Sequence, residues 1–355
     1  MAEVSMSECL QDGMIHLASA MLIKWPVYPH SRLAHLYHVS YNGIKVILKL
    51  VWTPNNHLPE PAVYDVLIQA GVKHIPEVYD SSTVIEDSFR YQIDYLLIKD
   101  AGVSLAEYIR SLNSLGTAGK CNTAAEITQK VLDCLVQVQQ AGVLHRNIST
   151  GNIAVHNGKL AVINWGYAKL VKDDGRGNSH MGISVDDLAH KWRFDKEKVL
   201  KNKDEHDPIT GMPLYMSIPI LVGARQHSIA DDAESALYVL LDAVSKVVAT
   251  RLEAREDSEE HPIALHFRDS KNLAYICGNC FIESDLYLSA FGIHTYGDEF
   301  RVLTDALCEY LFERDGKYIS TYLSMVPNFE RSTNVEQLKA IVASDLHPPT
   351  AAVAI

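Results

Sequence analysis

The sequence predicts an α+β fold in which a small strand-rich part comes first and a larger helical part follows. Strand-like apolar runs and a hairpin turn signal lie before residue 100, whereas the long segments with helical periodicity lie after it. A chain of 355 residues with 47% hydrophobic content can bury a large core. We expect an N-terminal helical extension at 1–25, a small lobe at 26–100, a large lobe at 101–345 and a flexible tail at 346–355.

The first hundred residues predict one helix in the extension, then strands and a second helix. Four apolar residues recur at helical spacing in the extension: Leu10, Met14, Leu17 and Met21. Residues 31–52 predict strands, because Asn42-Gly43 is a favoured two-residue hairpin turn and the mainly apolar stretch 44–50 follows it. A helix is predicted over residues 61–70, closed by Gly71, and a further strand over residues 95–98.

The second part of the chain begins with two predicted helices. A short helix is expected over residues 104–111. Thr123 and Glu126 have the spacing of a capping box, in which a hydroxyl and a carboxylate bond the first backbone N–H groups of a helix. We therefore expect the second helix to begin there and to end at Gly142. Four apolar residues define its inner face: Ile127, Val131, Leu135 and Val138.

Two short strands are predicted after this helix, over residues 153–155 and 160–163. They lie on either side of His156-Asn157-Gly158, another hairpin signal. Further along, the charged stretch at 253–260 is expected to be a solvated insertion between helices.

Composition excludes several classes of protein. The net charge of −12 argues against a nucleic-acid binder, which needs clustered Lys and Arg to displace counterions. The six cysteines are scattered and do not suggest a disulfide framework. The apolar stretch at 14–25 is too short to span a bilayer, which takes about 20 apolar residues. We therefore expect a cytoplasmic or nuclear protein that binds no membrane, and its oligomeric state stays open.

Two motifs carry the functional prediction. Residues 145–152 read His-Arg-Asn-Ile-Ser-Thr-Gly-Asn, and residues 162–166 read Val-Ile-Asn-Trp-Gly. They resemble the catalytic loop of protein kinases, H-R-D-x-x-x-x-N, and the metal-binding D-F-G turn. Both acidic positions hold amides, because Asn147 replaces the catalytic Asp and Asn164 replaces the metal-binding Asp.

The catalytic loop is most similar to that of the fungal-type protein kinase family, which reads H-R-D-I-S-x-G-N-I. Residues 216–221 resemble the family's M-S-x-E-x-L segment, with Pro219 in place of the Glu. Residues 231–235 resemble its D-D-L-E-S helix, in which Asp232 would hold the catalytic loop from below. The resemblance implies a two-lobed protein-kinase-like fold with a small β-rich N-lobe and a larger helical C-lobe.

The resemblance also assigns roles to individual residues. Lys49 matches the strand lysine that reaches the ATP phosphates, and Glu60 best matches the helix glutamate that pairs with it. Asn152 matches the second metal ligand, beside Asn164. Residues from Ile98 to Asp100 match the hinge whose backbone groups bind adenine.

The substitutions predict impaired chemistry. Magnesium prefers charged oxygen ligands, so the neutral amide of Asn164 beside Asn152 predicts weak or absent magnesium binding. The Asn147 amide cannot accept the proton of a substrate hydroxyl, and such a base typically contributes about 10²–10⁴ in rate. Before Lys49, Tyr41-Asn42-Gly43 offers a single glycine where kinases have a glycine-rich loop. We expect a pseudokinase with weak or no phosphotransfer that serves as a module for binding a nucleotide such as ATP or a protein partner.

Two other functions stay open. An atypical active Ser/Thr kinase would transfer the γ-phosphate of ATP to a protein if Asp173-Asp174 restored metal binding. A small-molecule phosphotransferase of the aminoglycoside-kinase type shares the fold but usually keeps both acids, which argues against it. Cys277 and Cys280 suggest zinc, yet His261 and His266 lie upstream with unsuitable spacing, so no zinc site is expected.

Overall fold

The structure is a computed structural model that describes residues 21–24, 34–54, 57–85, 91–171, 183–201, 211–212, 215–221, 227–253, 335–343 and short pieces between 302 and 318. The chain divides into two compact units. Unit 1 comprises Met1–Ala101 and Ser179–Asp207, and unit 2 comprises Gly102–Asn178 and Pro208–Ile355. Residues 179–207, which the sequence assigned to the large lobe, thus belong to unit 1.

The helices and strands with defined bounds follow in chain order: β1 (Met21–Lys24), β2 (Ala34–Tyr41), β3 (Ile44–Pro54), α1 (Glu60–Gln69), β4 (Val78–Ile85), β5 (Tyr91–Lys99), β6 (Val103–Ser104), α2 (Leu105–Ser111), α3 (Thr117–Gln140), β7 (Val143–Leu144), β8 (Ile153–His156), β9 (Lys159–Val162), β10 (Lys169–Leu170), α4 (Val185–Trp192), α5 (Lys196–Lys201), α6 (Ile218–Leu221), α7 (Ile229–Glu253), β11 (Glu313–Arg314), β12 (Lys317–Tyr318) and α8 (Val335–Ala343). Single 3₁₀ turns lie at Thr150–Asn152 and Trp165–Tyr167.

Unit 1 is built on an antiparallel sheet of five strands in the order β1-β2-β3-β5-β4. Asn42 and Gly43 join β2 to β3 with φ angles of 50° and 78°, so both residues adopt the left-handed conformation that a tight hairpin requires. The predicted hairpin is confirmed. The prediction missed β4, which pairs with β5 along its length.

The strand β3 has two different faces because side chains alternate along a strand. One face joins an apolar cluster that consists of Val39, Val46, Leu48, Leu50, Tyr95 and Leu97. Lys49 lies between two members of this cluster, so its side chain points to the opposite face. In the sheet it is in register with Leu36 on β2 and Leu96 on β5.

Helix α1 confirms the helix predicted over residues 61–70, one residue earlier at its start. Pro61 lies in its first turn, where the missing N–H costs no helical hydrogen bond. Gly71 follows the helix with φ 68°, which a glycine adopts at little cost. The helix packs on β4, β5 and α4 within unit 1.

The centre of unit 2 is formed by α3 packed against α7. The predicted inner face of α3 is confirmed, since four of its apolar residues are buried: Ile127, Val131, Leu135 and Val138. Helix α8 also packs on α3, where the Gln129 side chain donates to the carbonyl oxygens of Ile341 and Val342 at 3.3 and 3.0 Å. The hairpin between β8 and β9 is confirmed as well, with Asn157 and Gly158 at φ 50° and 73°.

Two local predictions are wrong. Helix α3 begins at Thr117, so Thr123 lies inside it, and its hydroxyl donates to the Gly119 carbonyl oxygen at 2.9 Å instead of capping the helix. The helix predicted over residues 1–25 is wrong for its last residues, because residues 21–24 form the strand β1, which pairs with β2. The pairing supplies backbone hydrogen bonds that outweigh the helical spacing of apolar residues.

Other predictions fall outside the described residues: residues 1–20 of the extension, residues 254–260 of the charged stretch, and the tail at 346–355. Among the described helices, none combines the length and the apolar character needed to cross a bilayer.

Candidate functional site

The loop at 145–147 is fixed by a buried carboxylate on α7. The backbone N–H groups of His145 and Arg146 donate to the two oxygens of Asp232, each at 2.9 Å. The Nε2 atom of His227 lies 2.9 Å from the same carboxylate. Asp232 is fully buried, so these contacts replace the water that its charge would otherwise bind. The structure thus shows the loop-holding contact that the resemblance implied for Asp232.

The pKa of Asp232 is lowered from its ordinary value of 3.8. Burial by itself would raise this pKa, because it disfavours the charged form. The nearby His227 imidazole, its hydrogen bond and the backbone N–H of His145 stabilise the carboxylate and outweigh burial. The loop therefore rests on an ionised Asp232 at neutral pH.

His145 connects this loop to the turn at 164–166. Its Nδ1 atom accepts a hydrogen bond from the Asn147 N–H at 3.1 Å, so the ring hydrogen is on Nε2, which donates to the Ile163 carbonyl oxygen at 3.1 Å. The ring also packs edge-on against Trp165, with ring centroids 4.5 Å apart. Trp165 is fully buried and donates its indole N–H to the Val162 carbonyl oxygen at 3.1 Å. The residues at both motifs therefore form one packed structure.

Three asparagines form a directed chain of hydrogen bonds. The Asn152 Nδ2 group donates to the backbone carbonyl oxygen of Asn147 at 2.7 Å. This contact fixes the Asn152 amide, because a carbonyl oxygen can only accept. The Oδ1 atom of Asn152 then accepts from Asn164 Nδ2 at 3.1 Å. The chain thus sets the orientation of both amides.

The backbone at Asn164 supports this arrangement. Asn164 has φ 69° and ψ 58°, a left-handed conformation that Asn and Asp adopt more readily than most residues. The strand before it is held to the loop by the Ile163 N–H, which donates to the Asn152 carbonyl oxygen at 3.0 Å. Positions 152 and 164 are therefore joined through both backbone and side chains.

In unit 1 the structure brings Lys49 and Glu60 together. The Lys49 Nζ atom lies 2.9 Å from Oε1 and 2.6 Å from Oε2 of Glu60. Both residues are buried, at 6% and 1% exposure. Glu60 reaches the lysine because it begins α1, which packs on the sheet that carries Lys49. The pairing suggested by sequence position is thus present as an ion pair.

The two hinge residues differ in their surroundings. Ile98 is buried near the end of β5, in register with Ile47 on β3. Asp100 follows β5, is half-buried, and has Oδ2 3.8 Å from His38 Nδ1. Their backbone contact with adenine stays a prediction.

The donor atoms around Asn152 and Asn164 do not fit magnesium. Kinases hold magnesium with the Asp of the D-F-G turn and the Asn of the catalytic loop, together with phosphate oxygens. Asn152 is that Asn, but Asn164 puts a neutral amide where the carboxylate would be. In the part of the chain that the structure describes, no group of three or more His, Cys, Asp or Glu residues could hold a metal ion. Asp173, Asp174 and the two cysteines at 277 and 280 lie outside that part.

The sequence patterns did not predict two contacts, one in each unit. His227 contacts the Asp232 carboxylate, and its position five residues upstream offered no recognisable pattern. Asp65 of α1 accepts hydrogen bonds from Lys191 and Trp192 of α4, which lie more than a hundred residues away. No local signal could have predicted this second contact.

Comparison with known proteins finds a family model that matches the segment containing both motifs. A model described as fungal protein kinase matches residues 96–244, which contain both motifs but neither Lys49 nor Glu60. No curated protein matches the chain. Among solved structures, the chain is similar to the kinase PK-1 of Cydia pomonella granulovirus, with a TM-score of 0.43 and 13% identity over 68% of this chain and 75% of that one.

The resemblance to fungal protein kinases is therefore confirmed over residues 96–244. The described residues combine a small antiparallel sheet in unit 1 with a mainly helical unit 2. The chain has a mixed α+β, protein-kinase-like fold.

Proposed function

We propose that the chain is a kinase-like binding module in which phosphotransfer is weak or absent. Its role would be to bind a nucleotide or a protein partner. One observation carries the proposal: the chain of hydrogen bonds through Asn147, Asn152 and Asn164 directs an N–H donor toward the oxygen that would ligate magnesium.

The geometry of an octahedral magnesium site makes this conflict concrete. Each ligand oxygen lies about 2.1 Å from the ion, so neighbouring oxygens are about 3 Å apart. Asn164 Nδ2 is 3.1 Å from Asn152 Oδ1. An N–H donor, which cannot ligate a cation, therefore lies where the neighbouring ligand oxygen of a magnesium site would be. Turning the Asn164 amide over would lose a hydrogen bond of about 0.5–1.5 kcal/mol and would still supply no negative charge.

The second lost acid concerns the attacking hydroxyl. In kinases an Asp of the catalytic loop accepts the proton of the substrate hydroxyl. Asn147 occupies this position within a loop that Asp232 holds in place. A neutral amide there can orient a hydroxyl but cannot remove its proton. Loss of a general base typically costs about 10²–10⁴ in rate, and it acts on the same reaction as the loss of the metal acid.

Retention of the buried Lys49–Glu60 pair supports nucleotide binding as the remaining function. Burying two charges is costly, and a buried ion pair often adds little net stability. A lysine held in place by Glu60 at 2.6–2.9 Å would instead serve to neutralise an anionic group such as a nucleotide phosphate. The same pair also favours the alternative, a slow atypical Ser/Thr protein kinase.

A phosphotransfer assay tests the proposal. The purified chain would be incubated with labelled ATP, excess magnesium or manganese, and a generic protein substrate, with Lys49→Met as the matched control. We expect the chain and the control to give the same background signal. Steady turnover by the chain that disappears in Lys49→Met would overturn the proposal and support the atypical kinase.

The double substitution Asn147→Asp and Asn164→Asp provides a positive counterpart. It restores both carboxylates on a loop whose backbone is already anchored by Asp232. We expect this variant to gain magnesium-dependent nucleotide binding, measured as a thermal shift. An unchanged shift would count against the assignment of position 164 to the metal turn.

A further inference from the structure

The Asp65 carboxylate of helix α1 binds the end of helix α4. Asp65 Oδ2 accepts hydrogen bonds from Lys191 Nζ at 2.6 Å and from the Trp192 indole N–H at 2.7 Å. Trp192 is 3% exposed, so its N–H group has lost water and requires an acceptor. Asp65 supplies that acceptor from the neighbouring helix.

Helix α4 is stabilised by a cap at its start, by buried apolar residues and by a defined end. The Ser184 hydroxyl caps its first turn by accepting from the Asp187 N–H at 3.1 Å. Leu188 and Trp192, one turn apart, are both buried. Arg193 then ends the helix in a left-handed conformation, with φ 52°. The helix thus presents a defined apolar side with one polar anchor at its end.

Helix α1 lacks such a cap and depends on its neighbours for its position. No side chain caps its N-terminus, and at ten residues it is, like the eight-residue α4, shorter than the about 12–15 residues that an isolated helix needs in water. Glu60 and Asp65 are five positions apart, which places them about 140° apart around the helix axis. Glu60 contacts Lys49 on the sheet, and Asp65 contacts α4. The helix is therefore held on two sides.

We propose that α4 is an intramolecular clamp that holds α1 where Glu60 pairs with Lys49, and that Asp65 and Trp192 are positioning residues for this pair. The inference rests on the proposed role of Lys49 in binding an anionic group. The clamp belongs to the same chain and to the same unit as α1. Lys49 would thus be held in a binding-competent position without nucleotide, metal or partner.

The reactivity of the Lys49 amine tests the clamp directly. A paired amine at 6% exposure reacts slowly with an acylating reagent such as sulfo-NHS acetate. Trp192→Phe keeps an aromatic ring for packing and removes the N–H donor. Losing one partner of a buried hydrogen bond should raise local opening, and with it Lys49 acylation, by roughly 5- to 30-fold. Peptide mass spectrometry would report the rate relative to Lys99, which is exposed in the same unit.

Three further variants separate clamping from general stability. Asp186→Asn removes an exposed charge from α4 and should change the Lys49 rate by less than about twofold. Asp65→Ala should accelerate acylation as Trp192→Phe does. Asp65→Asn retains an oxygen acceptor for the indole and should give a rate between those of Asp65→Ala and the unmodified chain.

A double-mutant cycle then shows whether the clamp acts through Glu60. In a Glu60→Gln background the ion pair is already weakened, so Trp192→Phe should add little to the Lys49 rate. Equal acceleration in both backgrounds would mean that Trp192 is merely structural and would overturn the inference, as would unchanged Lys49 rates in folded Trp192→Phe and Asp65→Ala. The measurements need no nucleotide, so a failure of nucleotide binding would refute the proposed nucleotide role of Lys49 and leave the clamp intact.

Discussion

Replacing Asp232 with Asn removes the charge that holds the loop at 145–147. The carboxylate accepts from two backbone N–H groups and lies 2.9 Å from His227 Nε2. An Asn side chain of the same shape keeps one acceptor oxygen and puts an NH₂ group in place of the other. This NH₂ group would face a backbone N–H at about the former 2.9 Å distance. Two donors would then oppose each other in a fully buried place.

The expected loss of stability follows from these contacts. Hydrogen bonds to a charged group contribute about 1.5–3 kcal/mol each, and Asp232→Asn removes one and weakens the others. Breaking a buried charged network typically costs about 3–5 kcal/mol, which we take as the expected decrease in the free energy of unfolding. Domains are commonly stable by about 5–15 kcal/mol, so the change should be readily measurable.

Acid should reduce the difference between the two proteins. The folded-state pKa of Asp232 lies below its ordinary value of 3.8, so the unfolded chain binds the proton first as the pH falls. The stabilisation is complete well above pH 3.8 and is lost as the pH falls below it toward the folded-state pKa. Asp232→Asn lacks this titration, so its deficit should be largest near neutral pH and smaller below pH 4.

Urea unfolding at neutral and acidic pH measures both effects, and amide hydrogen exchange at His145 and Arg146 reports the loop itself. Glu336→Gln on α8 is the matched control, because Glu336 forms an exposed ion pair with Lys339. We expect this control to change stability by less than about 0.5 kcal/mol. An Asp232→Asn variant within about 1 kcal/mol of the unmodified chain, with unchanged exchange at the loop, would refute the reasoning.

Two further predictions concern unit 2. Gly102 has φ 94°, and a Cβ there would lie 2.3 Å from the Val155 carbonyl oxygen, so Gly102→Ala should lower the free energy of unfolding in urea by about 2–5 kcal/mol. The control Gly119→Ala within α3 should be neutral or stabilising, and equal effects of the two substitutions would contradict this. Burial raises the pKa of the Cys121 thiol to about 12 and also raises the pKa of Cys134, so neither thiol should react with maleimide at pH 8 until the chain unfolds. Rapid maleimide labelling of the folded chain, detected by peptide mass spectrometry, would show that these α3 residues are not buried.

Several parts of the fold could be predicted because local chemistry determines them. Asn42-Gly43 and Asn157-Gly158 adopt the positive φ angles that two-residue hairpins require, and few other residue pairs do so readily. The buried face of α3 follows from its periodicity alone. The start of that helix could not be predicted in the same way, because the Thr123 hydroxyl can serve a cap or bond back within a helix.

The candidate site was predictable in its residues more than in its contacts. Motif spacing predicted Asn147, Asn152 and Asn164 as site residues, and hydrogen bonds connect all three in the structure. The direction of the amide bonds depends on the Asn147 carbonyl, which no sequence pattern specifies. The contact between Asp65 and Trp192 joins residues 127 positions apart, so it arises only when the chain folds.

The most direct test of the central claim is the magnesium dependence of ATP binding by the unmodified chain. The thermal shift caused by ATP would be measured in excess EDTA and in excess magnesium. Because Asn164 donates its amide N–H to the Asn152 oxygen that would ligate the ion, we expect the same shift under both conditions. A shift that appears only with magnesium would show that the cation site is intact and would contradict the account.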